Sequence, residues 1–304
     1  MERKLEFGSS HWLDVYEPSP GELTALAARY GLPESPLRDC LDPDLLPKFQ
    51  RTPNGGLLML RAFDEKSPGQ ATGVQETTRK VALFWGENFL ISVHRAQLPW
   101  LEGVRVAWEK SANREPPKLA SVLHDIVEEC LFTYDAPIDH ANVVLDELED
   151  AIFRDSSTSA PAPILETALI VKKRATLFKR MLRLTRDLLP SVSKLGEPNS
   201  AAIQTLKEEA DRLFFYSDDL VETTTDLVQL SISLSANRTS DVVRLLTLVS
   251  IFVLPLNLVT GIYGMNFAHM PELNTKWGYP GALSAMLVIE LCIFFWLKRK
   301  RWLA

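Results

Sequence analysis

The alternation of apolar and polar positions changes character twice along the chain. From residue 11 to 95 short apolar runs alternate with turn residues, the pattern of a mixed α/β region. His11 to Tyr16 reads as a strand. Ser19-Pro20-Gly21-Glu22 then predicts a helix start: a Ser cap, proline at the first helical position and Glu three residues after the cap. That helix runs to about Tyr30 and is closed by Gly31, and a shorter one covers Ser35 to Leu41. Leu57 to Phe63 is a strand after the Asn54-Gly55-Gly56 turn. Val81 to Trp85 and Phe89 to Val93 form a hairpin around Gly86-Glu87-Asn88. Lys66 to Thr78, rich in Gly, Ser and Thr, reads as a loop.

From Gln97 onward no strand pattern remains. Helices are predicted over 97–110, 117–134, 137–155 and 162–189, punctuated by Pro116-Pro117, Pro137 and Pro161-Ala162-Pro163. Ser156 to Ala162 reads as an exposed turn. After Gly196-Glu197-Pro198-Asn199 the character changes again. From Ser200 to Tyr263 no glycine occurs before Gly261, and Pro255 is the only proline. This predicts one continuous helix, far longer than those of ordinary globular domains.

Two apolar runs, the uncharged Leu245 to Tyr263 and then Tyr279 to Leu297, close the chain. Each is close to the roughly 20 residues a helix needs to cross the bilayer core. The chain is therefore read as a membrane protein with spans over about 243–263 and 279–297. Arg238 and Arg244 precede the first span, and Lys298-Arg299-Lys300-Arg301 follow the second. The loop between carries Lys276 opposed by Glu272. This bias places both termini in the cytoplasm and the loop outside. No charged segment leading into a short apolar one opens the sequence, so no signal peptide is expected.

The long helix carries two stripes. Leu213, Tyr216, Leu220, Leu227, Leu230 and Leu234 form an apolar face, and Asp219, Glu222, Asp226, Gln229, Ser233 and Ser240 lie on a neighbouring one. The same beat of three, four or seven continues as Val243, Thr247, Ser250, Leu254, Asn257, Gly261 and Gly264. A polar or small stripe within a membrane span needs a partner surface or water. It is read either as a helix-packing stripe or as a pore line. Two spans cannot enclose a pore, so the second reading requires a cyclic homo-oligomer.

Composition narrows the field. The 304 residues carry a net charge of −6, and no basic patch interleaves aromatics, so no nucleic-acid partner is expected. Cys40, Cys130 and Cys292 are far apart and read as free thiols in a reducing cytoplasm, without a zinc ribbon or a disulfide framework. His124 and Glu128 have the i, i+4 spacing of metal ligands, but such a helical pair is read as a surface contact. No P-loop, GxSxG, HExxH or paired catalytic constellation is found, so the chain is not read as an enzyme.

The C-terminal region carries a family resemblance. Ser-Ala-Asn-Arg-Thr before the first span, Pro255 within it, Gly261-Ile262-Tyr263-Gly264-Met265-Asn266-Phe267, Met270-Pro271-Glu272-Leu273, Trp277-Gly278-Tyr279-Pro280 and a basic tail with Trp302 occur in this order. Together they closely resemble the CorA family of magnesium and cobalt transport channels, densely from about Asn237 to Leu303. Upstream the order of elements fits.

The resemblance implies an α+β membrane protein forming a homopentameric channel in the cell inner membrane. A cytoplasmic α/β/α domain (1–135) is followed by a helical hairpin and stalk helix (136–240) that continues into a transmembrane pore domain (241–304). Gly264, Met265 and Asn266 would form the selectivity filter, and Met265 argues for the magnesium branch. Leu254 would be an apolar constriction, with Val243, Thr247, Ser250, Asn257 and Gly261 lining the path. Glu272 would face the outer mouth. Asp219, Glu222 and Asp226 would make an acidic funnel, as regulatory metal ligands or simply as a solvated face. Asn257 stands where the family commonly has threonine, and Glu290 places a carboxylate inside the second span.

The expected cargo is Mg²⁺, with Co²⁺ or Ni²⁺ as relatives, and no cofactor beyond the transported cation. A zinc transporter of the same superfamily, a non-conducting metal sensor and an enzyme tethered by two spans are the competing readings. Mg²⁺ sheds water reluctantly. A ring of neutral acceptors such as the Asn266 amide oxygen and the Gly264 carbonyl can instead read its hydration shell.

Overall fold

The structure is a computed structural model that describes residues 2–52, 55–111, 118–154, 161–192, 200–265, 270–271, 275–300 and 302. The expected turn at Asn54, most of the turn at Ser156 to Ala162 and the segment Gly196 to Asn199 therefore lie outside the described residues, as do Asn266 and Glu272. Two compact units are present, Met1–Gln229 and Leu230–Ala304.

The first unit is built on a mixed sheet. Its strands are β1 (Glu2–Phe7), β2 (Ser10–Tyr16), β3 (Lys48–Thr52), β4 (Gly55–Phe63), β5 (Thr78–Trp85) and β6 (Phe89–His94), in the spatial order β1-β2-β6-β5-β4-β3. Only β2 and β6 pair in parallel among them, with Leu13 opposite Ile91. In β4, Leu57, Leu58, Met59 and Leu60 are all fully buried, so both faces of this inner strand are covered. On one face lie α1 (Pro20–Tyr30) and α2 (Glu34–Leu41). Their Leu23, Leu26 and Leu37 pack with Leu57, Met59, Ala82, Phe84, Ile91 and Val93. On the other, α5 (Leu119–Phe132) packs across β2, β6 and β4. The layers are α/β/α, as expected.

Local chemistry explains the boundaries. Ser19 Oγ accepts from Glu22 N at 3.3 Å, and Glu22 Oε2 accepts from Ser19 N at 2.7 Å, so the capping box is complete. Gly31 ends α1 at φ 64°, a left-handed conformation that disfavours a side chain. The hairpin closes with Gly86 N donating to Phe89 O at 3.0 Å. Gly55 is required by close approach: a Cβ there would lie 1.8 Å from the Trp85 carbonyl oxygen.

Three features depart from the sequence reading. The outer strands β1 and β3 were not predicted. Both are edge strands, ERKLEF and KFQRT, the first largely exposed and the second mostly half-buried, and neither shows a buried alternation. The expected loop Lys66 to Thr78 ends in a single helical turn, α3 (Val74–Thr77), and Thr78 already belongs to β5. Its Thr78 Oγ1 donates to Val74 O at 2.7 Å.

The helical part follows as α4 (Pro99–Ser111), α5, α6 (Asp135–Arg154), α7 (Pro161–Val192) and α8 (Ser200–Tyr263). Pro137 sits in the first turn of α6, where its missing N–H costs nothing. Within the first unit, α8 buries Leu206, Ala210, Leu213, Ser217, Leu220, Thr224 and Leu227, a regular alternation of three and four. Ser217 therefore takes the place predicted for Tyr216, whose ring is exposed beneath the Arg212 guanidinium at 5.6 Å. The buried hydroxyls are satisfied locally: Ser217 Oγ donates to Leu213 O at 2.9 Å and Thr224 Oγ1 to Leu220 O at 2.5 Å. Ion pairs fasten the neighbouring helices, Arg186 to Asp211 at 3.2 Å and Arg212 to Asp135 at 2.7 Å, with Lys179 paired to Asp218.

The second unit holds the C-terminal part of α8 and α9 (Gly278–Arg299). Both helices are long and apolar enough to cross a membrane. Arg244 Nη2 donates to the Trp302 carbonyl at 2.6 Å, so the entry of the first span lies beside the exit of the second.

Candidate functional site

The site is built on the C-terminal part of α8. Val243, Thr247, Ser250, Leu254, Asn257, Gly261 and Gly264 follow one another at steps of four and three, which places them on one helix face. Val243, Leu254, Asn257, Gly261 and Gly264 are exposed, and Thr247 and Ser250 half-buried, within this chain. Thr247 Oγ1 donates to Val243 O at 2.8 Å, and Ser250 Oγ to Leu246 O at 2.8 Å. Each hydroxyl thus spends its one hydrogen on its own helix and turns acceptor lone pairs outward. Asn257 adds a further amide. A face of acceptors and small residues suits a hydrated cation and offers nothing to a lipid tail.

Leu254 interrupts this face with a large apolar side chain, 65% exposed. Pro255 follows it inside the helix and removes one backbone donor from the ladder. The helix stops at Tyr263. Gly264 N still donates to Thr260 O at 2.9 Å and Met265 N to Ile262 O at 3.2 Å, so the chain leaves through a turn. Gly264 does not adopt the positive φ expected of a glycine helix stop; among the described residues Gly8 and Gly31 are the glycines that do. The reason for glycine is proximity, because a Cβ would lie 3.1 Å from Thr260 O. Gly264 and Met265 are exposed.

The exterior of this unit is apolar. Val242, Leu245, Leu246, Val249, Leu258 and Ile262 of α8 are exposed, as are Leu283, Leu287, Val288, Leu291, Phe294 and Phe295 of α9. Contiguous apolar surface of this extent needs lipid or another protein over it. Trp277 and Tyr279 at the start of α9 are 81% and 77% exposed, placed as interfacial aromatics are. At the other end, Lys300 lies 4.8 Å from the Trp296 ring.

Glu290 is the exception within α9. Its Oε1 is buried and has no hydrogen-bond partner among the described residues. A charged carboxylate at mid-bilayer costs roughly 2.5–3.5 kcal/mol. Glu290→Gln is accordingly expected to leave assembly intact or slightly strengthen it, measured by detergent-resistant oligomer on size exclusion. A large loss of oligomer would show instead an ionised Glu290 paired with a cation.

In the first unit, Asp219, Glu222 and Asp226 are exposed on α8, and none forms an ion pair with a described residue. His124 and Glu128 are joined by Asp125. His124 Nδ1 lies 3.2 Å from Asp125 Oδ1 and 4.0 Å from Glu128 Oε2, while Nε2 donates to Ala202 O at 3.3 Å. The hydrogen bond that His124 Nδ1 donates to Asp125 raises the His124 pKa against the opposing effect of burial. The histidine is more than a surface contact, because it ties α5 to the start of α8.

Sequence reasoning missed two polar groups of the sheet. Beneath it, Asp14 Oδ1 accepts from Ser92 Oγ and lies 3.1 Å from His94 Nε2, while Trp12 Nε1 donates to Ser92 Oγ at 3.0 Å. Arg61, Lys80 and Arg95 gather at one end of the α1–α2 side. These residues are far apart in sequence, and no linear motif joins them.

The family model for CorA-like Mg2+ transporter proteins matches residues 8–299. The cobalt/magnesium transport protein CorA of Methanocaldococcus jannaschii is 23% identical over 96% of this chain and 91% of its own length. That of Thermotoga maritima is 31% identical over 56% of this chain and 50% of its own length. The complete structure of the CorA magnesium transporter from Methanocaldococcus jannaschii superposes with a TM-score of 0.79 at 22% identity, covering 98% of this chain and 93% of that one. With a soluble α/β domain, one long helix and two helices fit to span a membrane, the chain belongs to the family of CorA-like Mg²⁺ transporter proteins.

Proposed function

We propose that this protein is a homopentameric channel that admits Mg²⁺ across the cell inner membrane, with Co²⁺ or Ni²⁺ as accompanying cargo. The observation that carries the reading is the acceptor-lined face of α8, ending at Gly264-Met265-Asn266 in a chain of this family. Family membership supports divalent cation transport. Curated relatives of similar length include proteins named for magnesium and for cobalt and magnesium, which does not favour the zinc alternative. A catalytic role has no support in the family or in the residues.

Five copies of the α8 face would surround the path, with α9 toward lipid and both termini in the cytoplasm. Neutral acceptors of Gly264 and Asn266 would hold the ion through its water shell, since bridging waters bind nearly as well as direct contacts. Leu254 would close the path by dewetting. Asp219, Glu222 and Asp226, repeated by symmetry, would bind Mg²⁺ on the cytoplasmic side and report its level. The membrane potential contributes about 2.3 kcal/mol per charge per 100 mV, enough to drive a dication inward without ATP.

Flux into proteoliposomes loaded with a Mg²⁺-sensitive dye tests the reading against a non-conducting sensor or a tethered enzyme. An exchange-inert hexa-ammine cation refines it. Its ammine hydrogens point outward as donors, as those of hydrated Mg²⁺ do, and it cannot shed ligands. It is expected to inhibit flux from the outer side in competition with Mg²⁺, and less so in Asn266→Ala. Inhibition that is absent, or independent of external Mg²⁺, sinks recognition through the water shell.

A further inference from the structure

A cavity of about 390 Å³ opens beside the end of α2, lined by residues of β4, β5 and the end of β6. Such a volume falls within the roughly 300–1,000 Å³ of small-molecule sites. Four cations line it, Arg61, Arg79, Lys80 and Arg95, and no carboxylate does, in a chain whose net charge is −6. Arg61 and Lys80 stand directly opposite each other across β4 and β5. Like charges in that position destabilise a sheet. Arg61 is only 2% exposed, so the repulsion is not relieved by water.

The surrounding protein explains part of this arrangement. Lys80 Nζ donates to Asp39 O at 2.6 Å and also to Asp42 O, and Arg95 Nη1 donates to Leu41 O at 3.5 Å. These carbonyls end α2, and a helix C-terminus offers the equivalent of about half a negative charge. Two positive charges meet it, those of Lys80 and Arg95, while Arg61 binds the Pro43 and Leu45 carbonyls just beyond, and none of the three has an ion-pair partner among the described residues. Arg79 is paired with Asp64 at 2.7 Å. The acids nearby are engaged elsewhere: Asp39 pairs with Lys48, Asp42 accepts from Asp44 N at 3.0 Å, and Asp44 accepts from Gln75 Nε2 at 2.7 Å. Burial lowers the Lys80 pKa to about 8, with the Arg61 charge acting in the same direction and the charges of Asp42 and Asp39 opposing it.

Donors also remain. Arg61 uses Nε on Leu45 O at 2.9 Å, Nη1 on Thr78 Oγ1 at 2.9 Å and Nη2 on Pro43 O, leaving two of the roughly five N–H groups of a guanidinium. Arg95 is exposed and has most of its donors free. The lining also includes the apolar side chains of Leu23, Leu41 and Val93. Convergent guanidinium and ammonium donors match the several oxygens and the double charge of a phosphate better than a single carboxylate.

We propose that this cavity binds a soluble phosphorylated small molecule, its phosphate against Arg61, Lys80 and Arg95 and its body against the apolar side chains. The site lies entirely in the first unit and does not depend on the conduction path.

Isothermal titration and thermal shift on the full-length protein in detergent, in metal-free buffer, provide the test. The probes are inorganic phosphate, pyrophosphate and ATP, with sodium chloride at matched ionic strength as the control. ATP is expected to bind saturably and raise the melting temperature, and pyrophosphate to compete with it more weakly. Arg95→Glu, at an exposed position, and Lys80→Gln are each expected to weaken ATP binding tenfold or more. If Lys80→Gln fails to fold, Arg95→Glu decides alone. No saturable binding by any probe to about 1 mM, or an affinity unchanged in the folded variants, overturns the proposal. Equal affinity for ATP and pyrophosphate overturns the assignment of the apolar side chains.

Discussion

Asn266→Ala is expected to lower Mg²⁺ flux by about two orders of magnitude while leaving a folded oligomer. A hydrogen bond to a charged group is worth about 1.5–3 kcal/mol, and one bridged by water nearly as much. Losing one such acceptor at the position where the ion is read corresponds to roughly ten- to a hundredfold, and cyclic symmetry removes it from every subunit at once. Flux in dye-loaded proteoliposomes measures the effect, and size exclusion reports whether assembly survives. Variant channels that carry Mg²⁺ at the parent rate would remove Asn266 from the filter. Asn266→Gln, which keeps the amide one methylene further away, is expected to fall between the two. An intermediate rate would separate loss of the acceptor from loss of packing.

Leu254→Asn is expected to leak. Leu254 is the large apolar residue in a face whose other members are small, polar or β-branched, and its side chain is 65% exposed within the chain. A closed ring of leucines excludes water without blocking the path sterically, whereas a ring of amides holds it. Basal flux is expected to rise about tenfold, and high internal Mg²⁺ is expected to lose its inhibition, since wetting no longer depends on a conformational change. Leu254→Val, shorter but still apolar, should leave closure largely in place. A Leu254→Asn channel that still shuts at high internal Mg²⁺ would put the gate elsewhere. The two variants act in opposite directions on one assay, so a general folding defect cannot imitate both.

Much of this site was legible in the chain because it is written along one helix. The steps of three and four from Val243 to Gly264 survive as a helix face whatever surrounds them. The length and apolarity of the two spans carry their own reading. Continuity from Ser200 to Tyr263 follows from the near absence of breakers. The start and stop of α1 could be read from Ser19, Pro20, Glu22 and Gly31, because capping is chemistry among neighbours in sequence.

What the tertiary structure decided was every feature that depends on partners distant in sequence. Edge strands β1 and β3 are defined by pairing with β2 and β4, and their charged residues hide the period on which strand reading rests. The buried face of α8 took Ser217 in place of Tyr216, because the register of packing, rather than hydrophobicity, chose the side chain that fits between helices. Its hydroxyl could be buried only because Leu213 O lay within reach. Gly264 is small for the nearness of Thr260 O and not for a left-handed turn. The opposition of Arg61 and Lys80 exists only once β4 and β5 are in register. Periodicity and capping are short-range and can be read from composition in order. Charge convergence and close approach are properties of space, and the chain states them only after it has folded.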